Sequence, residues 1–425
     1  MSSNPPPGWR TVCIEEVAEV IGGGTPSTRV AKYFGGDIPW ITPKDLSGHE
    51  EREIEFGERS LSSEGLAASP ARLLPEKAIL LSTRAPVGRV AIAAKPVATS
   101  QGFRSLILKP GYVPEFFYYL LKGHTGTLES RAGGTTFREL SGGSLKRVEF
   151  SVPPAKEQEL IGRVLGAFDD KLAGNRRLVS LVEELLKTRF MTVFGSSPGG
   201  TEDLSEVQAQ RNGWDTVCIG DLLDLAGGST PSTVIDEYWV GGGHRWATPR
   251  DLSGLDSPVL LETGRHLTDA GLAKAGSGLL PAGTVLMSSR APIGYTAVAG
   301  IEMAINQGFI AILPSKRLPG SYVLCWLREN IDRVKSYAGG TTFAEIGKQA
   351  FRRIRIPLPP PESLAEFDRF AAPLLSLVVE REVESRALRR IRDFLLPHLI
   401  SGRIQVSRGL LPPSEASSTG ARRER

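Results

Sequence analysis

Gly22-Gly23-Gly24-Thr25-Pro26-Ser27-Thr28 has the composition of a loop whose backbone N–H groups could cradle a phosphate. It lacks the Gly-Lys-Ser/Thr ending that a nucleoside triphosphate site needs, and so does a second such run, Gly227-Gly228-Ser229-Thr230-Pro231. A tight turn after a strand is the simpler reading. The five histidines, His49, His124, His244, His266 and His398, show no zinc-ligand spacing. No Ser/His/Asp or Cys/His arrangement recurs along the chain. The basic residues offer a different chemistry. Lys146 with Arg147, and Lys348 with Arg352, Arg353 and Arg355, each follow a Gly-Gly-Thr-Thr-Phe run. Clustered Lys and Arg are the electrostatic footprint of a nucleic-acid binder; the alternative is a solvated strand face.

Asn4-Pro5-Pro6-Pro7 faintly matches the Asn-Pro-Pro-aromatic signature of adenine methyltransferases, but it ends in proline and no glycine-rich methyl-donor loop follows a strand. The motifs that do stand out occur twice. Trp9, Val12, Cys13, Ile14, Gly23, Thr25, Pro26, Ser27, Thr28 and Tyr33 recur 205 residues later, from Trp214 to Tyr238. After a one-residue slip the offset becomes 206. Trp40 with Thr42-Pro43-Lys44-Asp45-Leu46 then returns as Trp246 with Thr248-Pro249-Arg250-Asp251-Leu252. Ser82-Thr83-Arg84-Ala85-Pro86-Val87-Gly88 returns as Ser288 to Gly294, Gln101-Gly102-Phe103 as Gln307-Gly308-Phe309, and Gly133 to Phe137 as Gly339 to Phe343. So long a period means domain duplication rather than a solenoid. The shared polar residues are Asp45/Asp251, Arg84/Arg290, Gln101/Gln307 and Glu139/Glu345, with basic side chains at Lys44/Arg250 and Arg147/Arg353.

The elements that must carry these motifs follow from patterning. The 425 residues suffice for two to four domains, with 40% hydrophobic and 23% charged residues, as in an ordinary soluble protein. No apolar run approaches a membrane span, no secretion signal opens the chain, and the expected compartment is the cytoplasm. Net charge of +4 permits a nucleic-acid partner without arguing for one. Cys13 and Cys218, at equivalent positions among three cysteines, read as buried free thiols. Two mixed α and β parts are expected at residues 1–154 and 213–360, each closed by an alternating strand and a proline pair at 153–154 or 359–360. Helical periodicity takes over at 155–194 and 361–402. A linker at 195–212 and a disordered tail at 403–425 complete the chain.

In the first helical stretch Ile161, Leu165, Phe168, Leu172, Asn175, Val179, Val182 and Leu186 alternate spacings of 4 and 3. Phe370, Leu374, Leu377, Arg381, Glu384, Leu388, Ile391 and Leu395 repeat the pattern at an offset of 209. Such seams predict coiled-coil helices over about four heptads, ending near Phe190 and Leu396 and about 34 residues long. Polar residues at Asn175, Arg381 and Glu384 would fix register and partner. The alternative is that each helix packs only on its own globular part.

Taken together, the set resembles the specificity subunit of type I restriction-modification enzymes. Carrying it are Gly-Gly-Thr-Pro-Ser-Thr, Trp-x-Thr-Pro-x-Asp-Leu, Ser-x-Arg-Ala-Pro-x-Gly, Gln-Gly-Phe and Gly-Gly-Thr-Thr-Phe, together with Pro153 to Gln158 opening one helix and Leu396 to Gly402 closing the other. The match covers residues 8 to 405. One departure is Pro359-Pro360-Pro361-Glu362-Ser363, which lacks the Glu157-Gln158 pair, so a docking role for that pair cannot extend to the second half. The resemblance implies an α+β fold: two similar target recognition domains joined by two long antiparallel coiled-coil helices in a pseudo-two-fold repeat. Each domain would read one half of a split, asymmetric site in double-stranded DNA. The helices would hold two modification (methyltransferase) subunits, and restriction (translocase-nuclease) subunits would join them. S-adenosylmethionine, ATP and Mg would belong to those partners; this chain would bind no cofactor or metal and carry no catalytic residue.

Residues identical in both copies cannot distinguish two different half-sites. Arg84/Arg290 and Lys44/Arg250, shared by the copies, are therefore expected to be phosphate contacts or scaffold, and Gln101, Gln307 and the clustered Lys146, Arg147, Lys348, Arg352 and Arg353 complete the expected DNA-binding set. Base reading is expected where the copies diverge, at 49–60 against 255–266, 89–100 against 295–306 and 122–131 against 328–337. Leu165, Phe168, Leu172, Asn175, Val179, Leu374, Leu377, Arg381, Glu384 and Leu388 are the expected helix interface. A coiled-coil scaffold, or an orphan DNA-binding protein without a restriction-modification partner, remains the alternative.

Overall fold

The computed structural model describes residues 6–134, 138–195, 213–340 and 344–406. The last three residues of each Gly-Gly-Thr-Thr-Phe run, nearly all of the expected linker and most of the expected tail lie outside them. The chain divides into two compact units, 1–173 with 388–425, and 174–387. The division falls inside both long helices, not at their ends.

Each unit folds the same way. In the first, Arg10–Cys13 pairs antiparallel with Glu149–Val152, so the alternating strand before the prolines closes on the opening strand. A five-stranded sheet runs in the order Ala18–Gly22, Phe103–Leu108, Ile79–Thr83, Val87–Ala93, Glu53–Ile54. A three-stranded sheet runs Arg59–Leu61, Phe34–Ile41, Ala98–Thr99. Ile79 to Thr83 is buried throughout, as a central strand covered on both faces must be. The second unit repeats all three sheets with Asp215–Cys218 and Arg355–Leu358, then Leu225–Ala226, Phe309–Ile312, Val285–Ser288, Thr296–Ala299, Val259–Leu260, then Arg265–Leu267, His244–Ala247, Ala304–Ile305. Cys13 and Cys218 are half-buried on the opening strands, not fully buried; both are free. Cys325 is the buried thiol, and burial pushes its pKa up to about 12.

The long helices span Ala155–Phe194 and Pro361–Ile400, 40 residues each. Both run past the expected ends, to Phe194 and Ile400, the second continuing through Pro397, which sits at an exposed position, as Pro373 does. The first seam is where periodicity placed it: Ile161, Leu165, Leu172, Asn175, Val179, Val182 and Leu186 are buried, with Phe168 half-buried. The second needs correction. Phe370 is 38% exposed and Ile391 48%, whereas Leu364, Phe367, Ala371, Val378, Ser385 and Leu399 are buried. Leu374, Leu377, Arg381, Glu384 and Leu388 are half-buried. The offset between the helices is 206, as in most of the sheet strands, not 209. The large residues at 370, 377 and 391 imitated a seam whose true positions include the small Ala371 and the polar Ser385.

Polar pairs set the helix register within each unit. In the second, Asn175 Nδ2 donates to Glu384 Oε2 and Ser385 Oγ, both at 3.0 Å, and Arg381 donates to Glu384 at 2.8 Å. Arg189 also pairs with Glu366, so the two segments run antiparallel there. In the first unit the buried Asp169 accepts from Arg392 at 2.6 Å and from the Tyr119 hydroxyl at 2.7 Å. Burial and the adjacent Asp169 raise the Tyr119 pKa, keeping it a donor. The positions matching Tyr119, Asp169 and Arg392 in the second unit hold Cys325, Leu375 and Leu186, which pack in an apolar core. Gln158 is also internal: it accepts from Val113 N at 3.0 Å and donates to Pro153 O at 2.8 Å. Buried Leu364 takes its place in the second unit, so the Gln158 amide serves the fold and is not a docking group.

Candidate nucleic-acid interface

The duplicated motifs converge on one cluster of loops in each unit. The glycine loop is close-packed by its own backbone. A Cβ on Gly23 would lie 2.0 Å from Ser100 O, and one on Gly228 1.8 Å from Ile305 O. Those glycines therefore permit chain contact and form a turn, not a phosphate cradle. Thr25 hydrogen-bonds Gln101, and Thr230 donates to Gln307 at 2.6 Å, tying the loop to the Gln-Gly-Phe turn. That turn is in turn tied to the strand carrying the arginine: Thr83 N donates to Gly102 O, and Ser289 N to Gly308 O, each at 2.8 Å. Leu140 N donates to Thr83 O and Ile346 N to Ser289 O, both at 3.0 Å, which brings in the segment after the Gly-Gly-Thr-Thr-Phe run.

Asp45 and Asp251 are scaffold. The Asp45 carboxylate accepts from Thr42 N at 2.7 Å, Thr42 Oγ1 at 2.6 Å and Glu58 N at 2.7 Å. Asp251 accepts from Thr248 N, Thr248 Oγ1 and Gly264 N, each at 2.7 Å. Lys44 is exposed but paired with Glu58 at 2.7 Å. Gly264 stands where Glu58 would be, so the exposed Arg250 has no such neighbour. Arg84 and Arg290 are half-buried at the centre of each cluster, and Arg290 lies 3.7 Å from Glu345. Gln101 and Gln307 are exposed.

The second group of basic residues divides. Lys348 reaches the glycine loop, its Nζ 3.1 Å from where a Cβ on Gly227 would lie. Lys146, Arg147 and Arg353 are exposed at the ends of the short helices Gly142–Lys146 and Lys348–Arg352. Arg352 instead packs over Gly220, beside the two-stranded ribbon.

The divergent stretches fare unevenly. In 89–100 only Pro96 is exposed; Ala91 to Ala93 and Val97 to Ser100 are buried in the sheets. Its divergence from 295–306 reflects core packing, so it is not a surface that could read bases. The start of 49–60 is fixed to the helices: Arg52 donates to Asp170 at 3.0 Å, and Glu50 lies 3.7 Å from Arg389. In the other copy Arg386 hydrogen-bonds Leu261 O and Glu262. In 122–131, Leu128 is buried and Gly123 packs against Ile400.

Three features escaped the sequence reading. Residues 29–37 and 234–243 diverge apart from Tyr33/Tyr238 and their glycines, follow the shared Ser-Thr of the glycine loop and are largely exposed, Val234 at 88%. Arg104 donates to Phe103 O at 2.9 Å and lies 3.9 Å from Glu139, while Ile310 holds its place in the second unit. Arg59 and Arg265 are identical residues inside a stretch read as divergent, each stacked on an aromatic ring. Their signal was the match at offset 206, hidden among non-matching neighbours. No helix of the described residues is long and apolar enough to cross a membrane.

The family model of the type I restriction modification DNA specificity domain matches residues 6–184 and 211–365. The type I restriction enzyme MjaIX specificity subunit of Methanocaldococcus jannaschii is 31% identical over 94% of this chain and 94% of that protein. The HindI specificity subunit of Haemophilus influenzae is 29% identical over 43% of this chain and 40% of its own length. The crystal structure of the type I restriction-modification S subunit from M. genitalium shares the fold, with a TM-score of 0.62 at 16% identity over 94% of this chain and 98% of that one. With both repeats matched by one family model, and one relative aligned over nearly its whole length, the chain belongs to the specificity subunits of type I restriction-modification systems.

Proposed function

We propose that each unit reads one half of a bipartite, asymmetric site in double-stranded DNA for a type I restriction-modification complex. One observation carries this reading: two closely similar loop scaffolds present different exposed surroundings. Shared Arg84/Arg290, Gln101/Gln307 and the basic Arg250 and Lys348 serve the sequence-independent grip. The divergent exposed segments 29–37 and 234–243 carry base readout, the first with Arg29 and Lys32, the second with Val234, Ile235, Asp236 and Glu237. A charged side chain and an apolar one favour different base edges, the apolar one the thymine methyl.

The long helices dock two modification subunits, which restriction subunits join. Exposed Leu181, Leu185, Val383, Ile391 and Phe394 on the helices support this, since large apolar side chains in water mark interaction surfaces. The chain itself is non-catalytic and cytoplasmic and holds no cofactor; S-adenosylmethionine, ATP and Mg belong to the partners. Coexpression with the modification subunit, followed by genome-wide mapping of methylated adenine, tests the reading. A bipartite motif with two unrelated halves is expected. A continuous palindrome contradicts it.

A further inference from the structure

Arg59 and Arg265 are exposed cations held in the same way in the two units. The Arg59 guanidinium carbon lies 3.7 Å from the centroid of the Phe34 ring, and that of Arg265 lies 3.5 Å from the centroid of the Trp239 ring. Each ring packs edge-on against a buried tryptophan: Phe34 on Trp40 at 5.9 Å and Trp239 on Trp246 at 5.0 Å. Each arginine is the cross-strand partner of that tryptophan, Arg59 of Trp40 and Arg265 of Trp246. The tryptophans are fixed to the glycine loop, Trp40 Nε1 donating to Gly24 O at 3.0 Å and Trp246 Nε1 to Ser229 O at 3.2 Å. The carboxylates of Asp45 and Asp251 hold the residue before each arginine, through Glu58 N and Gly264 N.

Both arginines are exposed, and among the described residues neither forms an ion pair. Lys44, by contrast, is paired with Glu58. Stacking covers one flat face of a guanidinium and limits its rotamers, yet leaves the edge N–H groups available. That is the geometry for bidentate contact with an anion, with much of the ordering entropy already spent. A residue kept with equivalent supports in two domains that read different sequences serves what the two half-sites have in common. In duplex DNA that is the phosphate backbone.

We infer that Arg59 and Arg265 are a matched pair of phosphate clamps, one per unit, that seat each glycine-loop cluster on the DNA backbone. The inference rests on the DNA-reading function proposed above. The test uses the complex of the full chain with its modification subunits. Its probes are a duplex carrying the methylation-mapped site and a scrambled duplex, each titrated across salt concentrations. Arg59→Ala and Arg265→Ala should each weaken binding to both duplexes by about tenfold or more, the scale of one charged hydrogen bond. Each should also reduce the slope of log K against log salt by about 0.9, and the double variant by about twice that. The methylated motif should not change. Arg59→Lys should keep most of the slope but lose affinity, because an ammonium cannot stack and fork as guanidinium does. Unchanged affinity and slope in an Arg59→Ala protein with parental melting would overturn the inference, as would altered bases in one half-site. If the parent complex shows no salt-dependent DNA binding, the proposed function itself fails, and that outcome is distinct from a parent that binds and a variant that binds equally well.

Discussion

Asp45 and Asp251 illustrate what identical residues in the two halves do: each carboxylate gathers three donors and fixes a turn. Glu262 shows the opposite case, a residue of one copy only. Burial pulls its pKa up, but hydrogen bonds from Arg386, His266 and Thr263 N, with Arg245 nearby, outweigh this and leave it below the ordinary 4.5. A folded pKa held below the unfolded one means stability that is present above the unfolded value and lost as pH falls through the folded one. Glu262→Gln is therefore expected to lower the melting temperature at neutral pH. The gap from the parent should close as pH drops below 4.5, read by calorimetry across that range. A gap constant with pH would mean that the charge contributes nothing. At this scale the sequence was legible only in part. Motif identity located Arg84, Gln101 and their counterparts, which do come together. It could not reveal that Lys44 is paired with Glu58, nor that Arg59 is stacked, because both depend on strand pairing across a loop.

The long helices were legible as elements, and the second was misread in phase. Heptad spacing named the first seam correctly because its apolar residues are also the buried ones. In the second helix, apolar residues at 370, 377 and 391 outweighed Ala371, Ser385 and Arg392, which periodicity treats as poor core. Arg392 is accommodated because Asp169 meets it, a partner that no one-dimensional pattern contains. The two phases make different predictions. Phe367, fully buried against Phe190 and Phe194, should cost about 3–5 kcal/mol when changed to alanine. Phe370, partly exposed, should cost well under half of that. Equal losses in chemical denaturation would restore the 209 offset.

At the scale of the whole chain, duplication was the plainest sequence signal, and the sheets repeat strand for strand. What the sequence did not disclose is how each unit is completed. The first takes its final core residues from the far end of the chain: Leu399 and Ile400 are buried with Phe116, Phe117 and Ile161, and Arg392 neutralises the buried Asp169. A fragment of residues 1–195 should therefore be unstable. It loses about 1.5–3 kcal/mol for each of the two apolar side chains, and an unpaired buried carboxylate costs about 3–5 kcal/mol more. A peptide of residues 388–406 added in trans should raise its melting temperature, whereas the same peptide with Arg392→Leu should do so much less. A fragment as stable alone as with the peptide would refute this account. The same feature sets a clock on synthesis. At about 5–20 residues per second, a ribosome that has finished the first long helix needs roughly 10–40 s more to reach Ile400. Throughout that interval the first-made half of the protein carries an open apolar seam and an uncompensated acid, so it is the older part of the nascent chain, not the newer, that most needs shelter from aggregation.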